Sequence, residues 1–369
     1  MPPVTTTPRI RKSPFYDATV AAGATTFTIY NKMFMPLSYG DLAAEYDRLI
    51  NTVALWDVGC ERQVELLGPD AGRLAQRLSA RDLSGMQVGQ GKYVAMCDHD
   101  GRLLNDPILM KLDEERYWFS LADADMLLWC TAVGREGGFD ADVSEPDVSP
   151  LAIQGPQAPA LAADLFGDWI HDLKYFWFRE TELNGIPLVL CRSGWSKQGG
   201  FELFLQDGAK GNELYEGIRA AGTRYGIGPG APNHVERVES GLLSFGGDTT
   251  PDSNPFEAGM ARYVDTATEV DYIGKAALER IVADGPKRLF TGLILEGEAP
   301  SPWPLAERTP IVAGGRQVGT LSAVVHSPRL GRTIGLAQIE TALVESAATV
   351  EVKSPTGNLH ALVHPLPFI

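Results

Sequence analysis

The period of apolar and polar positions changes several times along this chain, and each period predicts an element. Residues 42–53 place apolar side chains at helical spacing, whereas residues 61–67 alternate and predict a strand. Residues 26–29 also alternate, residues 117–121 predict a strand, and residues 123–133 predict a helix. The apolar runs 188–191 and 203–205 flank a polar, glycine-containing segment, the pattern of two strands joined by a loop. A short helix is expected after Lys275, to about Ile281, before Asp284-Gly-Pro286 interrupts the pattern. Beyond it, residues 289–295, 319–325, 333–337 and 348–352 predict short strands separated by Gly and Pro turns. This division gives an α+β region over residues 1–284 and a small all-β domain over residues 285–369.

One pattern occurs twice. Leu66-Leu-Gly-Pro-Asp-Ala71 and Ile153-Gln-Gly-Pro-Gln-Ala158 each follow a strand-like run and precede an apolar-periodic segment. Gly closes the strand, and Pro presets φ for the first helical turn. Two such units predict an internal duplication of α+β modules, with antiparallel sheets and helices on one face.

Composition removes several function classes. The chain has 369 residues, enough for two or three domains, and a formal net charge of −15. That balance argues against a broad nucleic-acid surface, which needs clustered Lys and Arg. Cys60, Cys97, Cys130 and Cys191 are widely spaced, with no Cys-x-x-Cys pair. They are expected as buried thiols, with no structural zinc site. No apolar run is long enough to span a bilayer, and the polar start of the chain lacks a signal-peptide core. A cytoplasmic protein with no membrane partner is therefore expected. No Gly-x-Gly-x-x-Gly or Walker loop supports a nicotinamide or ATP enzyme.

The segment Arg192-Ser-Gly-Trp-Ser-Lys-Gln-Gly-Gly-Phe-Glu202 is where chemistry is most legible. Its glycines let backbone approach a flat ligand, with Trp195 as a stacking face and Glu202 as an acceptor. An ordinary hairpin with a packing tryptophan is the competing reading.

The segment resembles the Arg-Thr-Gly-Tyr-Thr-Gly-Glu-Asp-Gly-Phe-Glu motif of the folate-binding aminomethyltransferases, the T-proteins of glycine cleavage. Lys197, Gln198 and Gly199 depart from that motif and are similar to the dimethylsulfoniopropionate demethylase branch. Ala54-Leu-Trp-Asp-Val-Gly-Cys-Glu-Arg-Gln-Val-Glu65, Leu104-Asn-Asp-Pro107, Ile153-Gln-Gly-Pro156, Glu236-Arg-Val-Glu-Ser-Gly-Leu-Leu-Ser244 and Leu366-Pro-Phe-Ile369 resemble the same branch, so the likeness runs nearly the whole chain. It implies duplicated ferredoxin-like α+β units around a folate site and a C-terminal β-barrel domain.

The resemblance also implies roles. Trp195 lies by the folate, Glu202 binds the pterin ring, and Asp106 sits near N5 of tetrahydrofolate, with Asn105 replacing the first Asp of the family pattern. Arg237, in an Arg-x-Glu with Glu239, would meet the folate glutamate tail or form a structural Arg–Glu helix pair. Tyr30, Lys32 and Tyr93 are expected around a small methylated donor, with Tyr93 also reaching the cofactor. An aromatic face attracts a methylated cation, and Lys32 suits a carboxylate. The branch has His at the position of Lys32, a second Tyr at Lys92 and Tyr at Phe204. The expected activity is methyl transfer from dimethylsulfoniopropionate to N5 of tetrahydrofolate. The alternatives are demethylation of another sulfonium, amine or aryl methyl ether, and a non-catalytic folate-binding assembly factor. The sequence leaves the oligomeric state open.

Overall fold

The computed structural model describes residues 5–300, 305–354 and 357–369, so residues 1–4 of the polar start lie outside it. Two compact units divide the described residues. The first holds the chain up to Ala75, Leu83–Tyr93 and Pro107–Asn233; the second holds Gln76–Asp82, Val94–Asp106 and the chain from His234.

Two large sheets and a two-stranded hairpin, Thr26–Tyr30 with Met33–Ser38, make up the sheet structure of the first unit. The larger has six strands in the order Phe178–Leu183, Ile186–Cys191, Gly200–Leu205, Ser149–Gln154, Val53–Asp57 and Ile227–Gly230. The smaller has five, in the order Asp142–Ser144, Gln63–Leu67, Arg116–Ser120, Ile108–Asp113 and Gly91–Tyr93. Met110, Leu112 and Trp118 of the smaller sheet pack against Val189, Cys191 and Phe204 of the larger. The opposite face of the larger sheet, with Leu151, Ile153, Leu188 and Leu203, packs against Leu161 and Ala162 of the helix Ala158–Phe166 and Leu214 and Ile218 of the helix Gly211–Ala221. Strands covered on both faces read as continuous apolar runs, which is why residues 188–191 and 203–205 did not alternate. Every residue of Gly200–Leu205 is buried.

The Gly-Pro pattern holds in both sheets. Gly68-Pro69 separates the strand Gln63–Leu67 from the helix Ala71–Leu78, and Gly155-Pro156 separates Ser149–Gln154 from Ala158–Phe166. Two expectations are corrected. The larger sheet is not wholly antiparallel: Ile227–Gly230 runs parallel to Val53–Asp57, because it arrives after a helical crossover rather than a hairpin. The helix expected from residue 123 begins at Leu127, because Asp123 and Asp125 are spent on the hairpin turn described below.

In the second unit, six strands close a barrel in the order Arg288–Leu295, Arg332–Glu340, Arg316–Ser327, Thr309–Ala313, Thr349–Ser354 and Gly357–His364. Thr309–Ala313 and Gly357–His364 were not anticipated. The helix His234–Glu239 lies on this barrel, with Val238 packed among Ala323, Val325, Ile334 and Leu336. No helix among the described residues is long and apolar enough to cross a membrane.

Candidate active site

Glu202 occupies the face of its strand that carries Phe204, the face turned toward the smaller sheet. It is 4% exposed. An ionised carboxylate there loses its hydration, so burial raises its pKa, opposed by the Ser193 hydroxyl that donates to Oε2. Oε1 has no hydrogen-bond partner among the described residues. A buried charge left half-satisfied is expensive for a structural role and useful for a ligand that brings donors.

The loop around Trp195 is built on Gln154, at the end of the neighbouring strand Ser149–Gln154. Gln154 Nε2 donates to the Ser193 carbonyl at 3.1 Å, and its Oε1 accepts from the Ser196 hydroxyl at 2.8 Å. Ser193 and Ser196 are buried, while Trp195 between them is half-buried. Gly194 and Gly200 have φ of 145° and 147°, and a Cβ at either would run into the Gln154 amide. Only glycine lets the backbone wrap that closely.

An aromatic strap ties this loop to the strand of Tyr93. The Phe176 N–H donates to the Arg192 carbonyl at 2.8 Å, and the Phe176 carbonyl accepts from the Gly91 N–H at 2.5 Å. Phe176 holds φ of 62°, a left-handed conformation costly for an aromatic residue. Trp177 and Phe178 continue the strap, bonding to Arg192 and Gly89.

Of the donor-side candidates, Tyr93 lies on the edge strand of the smaller sheet, while Tyr30 and Lys32 belong to a separate hairpin. Tyr93 pairs with Ile108, Ile108 with Ser120, and Ser120 with Gln63. Just past Ser120, the chain grips the hairpin formed by Thr26–Tyr30 and Met33–Ser38. Its turn residues Asn31 and Lys32 have φ of 48° and 60°, a two-residue turn with both residues left-handed. The Asn31 N–H donates to Asp123 at 2.7 Å, and its side-chain amide donates to the Cys60 and Ala122 carbonyls. Lys32 Nζ, largely exposed, pairs with Asp125 at 2.9 Å. Arg62 also faces Asp125 and pairs with Glu145, and these cations hold the Asp125 carboxyl below its usual value.

Arg237 and Asp106 belong to the second unit. Arg237 is buried and donates to Asp248 at 2.9 Å and to the Leu242 carbonyl at 3.2 Å. Asp248 also accepts from Ser322 at 2.6 Å. Glu239, on the same helix, takes Arg329 and accepts from Ser327. Neighbouring His234 stays neutral, its pKa pushed down to about 2 by burial and the Arg237 charge. Half-buried Asp106 follows the strand Leu103–Asn105, in the turn that leads into Ile108–Asp113. All four cysteines are free and buried. His360 and His364 share a spacing that would suit a metal on a helix, but they lie on the strand Gly357–His364, roughly 13 Å apart at 3.3 Å per residue. No cluster of metal-ligating side chains occurs among the described residues.

Comparison with known proteins settles the lineage. The GCVT N-terminal domain matches residues 15–268, and the glycine cleavage T-protein C-terminal barrel domain matches residues 288–369. The chain belongs to the glycine cleavage T-protein family. It is 41% identical over 349 residues to the dimethylsulfoniopropionate demethylase of Ruegeria pomeroyi, covering 95% of this chain and 94% of that one. It is 30% identical over 341 residues to an aminomethyltransferase of Streptomyces coelicolor, covering 88% of each. The crystal structure of the glycine cleavage system aminomethyltransferase T from Bartonella henselae superimposes with a TM-score of 0.86 over 98% of both chains, at 23% identity, and so shares the fold. As a T-protein family member the chain is a one-carbon-transferring enzyme that uses tetrahydrofolate.

Within this T-protein chain, sequence reasoning missed the roles of Gln154, Ser193 and Asp125. Gln154 stood inside a quoted motif, Ile153-Gln-Gly-Pro156, yet a polar residue ending an apolar strand gives no hint of a partner 39 residues away. Asp125 had a weaker signal, being one of two acidic residues at the start of an expected helix.

Proposed function

We propose that this protein demethylates dimethylsulfoniopropionate, transferring a methyl group to N5 of tetrahydrofolate to give 5-methyltetrahydrofolate and methylmercaptopropionate. The carrying observation is Glu202: a buried carboxylate with one oxygen held by Ser193 of the Trp195 loop and the other without a protein partner among the described residues. That geometry suits a bidentate grip on the ring amine and adjacent N–H of a pterin. The similarity to the Ruegeria pomeroyi demethylase supports the choice of donor.

A sulfonium departs as a neutral thioether, so its leaving group needs no proton. The proton on N5 must still leave, and Asp106 is the carboxylate we assign to stabilising that N–H and the cationic product. Holding donor and acceptor in line provides much of the acceleration. Tyr30 and Tyr93 offer faces to the methylated cation. Lys32 serves the donor carboxylate, sharing its charge with Asp125 or exchanging it. Arg237 is assigned to the cofactor side, where it works from a buried pair with Asp248. We place the chemistry within residues 1–284, with residues 285–369 as the supporting barrel, and the enzyme in the cytoplasm without a nucleic-acid partner, in keeping with its free buried thiols and net charge of −15.

The test is a donor panel with tetrahydrofolate, read as 5-methyltetrahydrofolate formed. Dimethylsulfoniopropionate should give product, while a methylated amine and an aryl methyl ether should give little. Product from the ether alone would overturn the sulfonium assignment and point to Lys32, Lys92 and Phe204 as the changed positions. Folate binding without turnover of any donor would favour an assembly factor.

A further inference from the structure

We propose that Gln154 is the positioning residue of the pterin loop: its amide fixes Ser193 and Ser196 on either side of Trp195 and so sets the direction in which Glu202 presents its open oxygen. This rests on the reading of Glu202 as the pterin anchor. Three observations carry it. Gln154 is 1% exposed, and both ends of its amide bond the same loop. Ser193, held through its carbonyl by Gln154, is also the residue whose hydroxyl holds Glu202 Oε2. The backbone at Gly194 and Gly200 lies so close to the amide that a Cβ at either position would collide with Gln154 Nε2.

The chemistry required is specific. A carboxamide presents an N–H donor and a carbonyl acceptor side by side without charge. Glutamate has the same shape but, when ionised, only accepts. It would face the Ser193 carbonyl acceptor to acceptor, in a buried site where an unmade bond is costly. A protonated glutamate regains one donor, and burial raises the pH at which it protonates. A Gln154→Glu variant is therefore switchable by pH, whereas Gln154→Met is not.

The experiment uses the full chain and titrates tetrahydrofolate calorimetrically from pH 5 to 8, comparing each variant with the unmodified protein at the same pH. Gln154→Glu should bind tetrahydrofolate at least tenfold more weakly at pH 8, with the deficit shrinking as pH falls. Gln154→Met should be weakened to a similar extent at every pH. Ser196→Ala, which removes only the hydroxyl on Gln154 Oε1, should weaken binding severalfold, and it provides the measurement should the Gln154 variants not fold. In steady state, the KM for tetrahydrofolate should rise while the donor KM holds, a split that a general loss of packing would not produce. Tetrahydrofolate affinities equal to the unmodified protein in Gln154→Glu and Ser196→Ala would overturn the proposal. If Glu202→Gln itself binds tetrahydrofolate normally, the anchor reading fails instead.

Discussion

In the site we propose, single residues carry the chemistry, and the central one, Glu202, is a buried carboxylate in an apolar setting. Glu202→Gln keeps the shape but removes the charge, and should weaken tetrahydrofolate binding by roughly 1–3 kcal/mol, the range for a lost charge-assisted bond. Calorimetry showing unchanged affinity would remove Glu202 from this role. Asp106→Asn should keep tetrahydrofolate affinity within a few-fold and lose roughly 10²-fold in turnover. Normal turnover would assign the N5 proton to another group or to water. A third residue bears on stability. Asp57 is buried, accepts from Ser13 at 2.5 Å and from the Gly59 N–H at 3.0 Å, and is nevertheless pushed up to about 6, chiefly by desolvation. In the unfolded chain an aspartate titrates near 3.9, so between about pH 4 and 6 the folded state holds the extra proton and stability falls as pH rises through that window. Asp57→Asn removes the charge. Its advantage should be absent near pH 4 and grow to as much as roughly 3 kcal/mol by pH 7. Urea unfolding at several pH values would show this, and a difference that does not change with pH would exclude it. The loop that holds Trp195 stood out in the sequence because apolar strands bracket it, while the folate roles given to Trp195 and Glu202 came from the family resemblance alone. Ser193 and Gln154 were not legible there, since their meaning lies in a contact made across the sheet.

At the scale of elements, the strap through Phe176 joins two pieces that carry different jobs. One backbone unit bonds Arg192, next to Ser193 of the pterin loop, and Gly91, at the head of the Tyr93 strand. Gly91 is where this can be cut with one methyl group, because a Cβ there would lie 2.8 Å from the Phe176 carbonyl. Gly91→Ala should therefore displace the strap and raise the KM for tetrahydrofolate and for the donor together, severalfold each. A change in only one of the two would mean the strap does not couple them. Residues 175–178 are all aromatic, and nothing in that run signals the left-handed turn at Phe176, which is bonded by both neighbouring segments. The same logic explains the misplaced start of the helix Leu127–Glu136. Asp123 and Asp125 look like favourable N-terminal acids, yet tertiary bonds to Asn31 and Lys32 claim them first. The missed strand Thr309–Ala313 contains a proline, and Gly357–His364 opens with glycine and asparagine and places Ala361, Leu362 and Val363 in succession instead of alternating, so neither gave a strong local signal.

On the scale of the whole molecule, residues 76–82 and 94–106 join the unit that contains the barrel, although both lie far upstream of it. No local pattern could show this, because the assignment depends on long-range partners such as the Leu103 N–H bonded to the Ser253 carbonyl at 2.8 Å. The barrel's own covering has a measurable consequence. The outer face formed by Ala323, Val325, Ile334 and Leu336 is capped by Val238 of the helix His234–Glu239. From the same helix, Glu239 takes Arg329 at 2.9 Å and also accepts from Ser327. A fragment of residues 285–369 lacks that helix although it retains every barrel strand. It uncovers the part of the apolar face that Val238 caps and removes the Glu239 carboxylate from Arg329 and Ser327. Burying one valine side chain stabilises by about 1.5–3 kcal/mol, before any contribution from the ion pair. The fragment 285–369 should therefore be less stable than the fragment 234–369 by at least about 2 kcal/mol in urea, and should bind an apolar dye that the longer fragment binds weakly. Equal unfolding midpoints would mean that the barrel closes without its cap, and that the break after Asp284 in the sequence is also a boundary of independent folding.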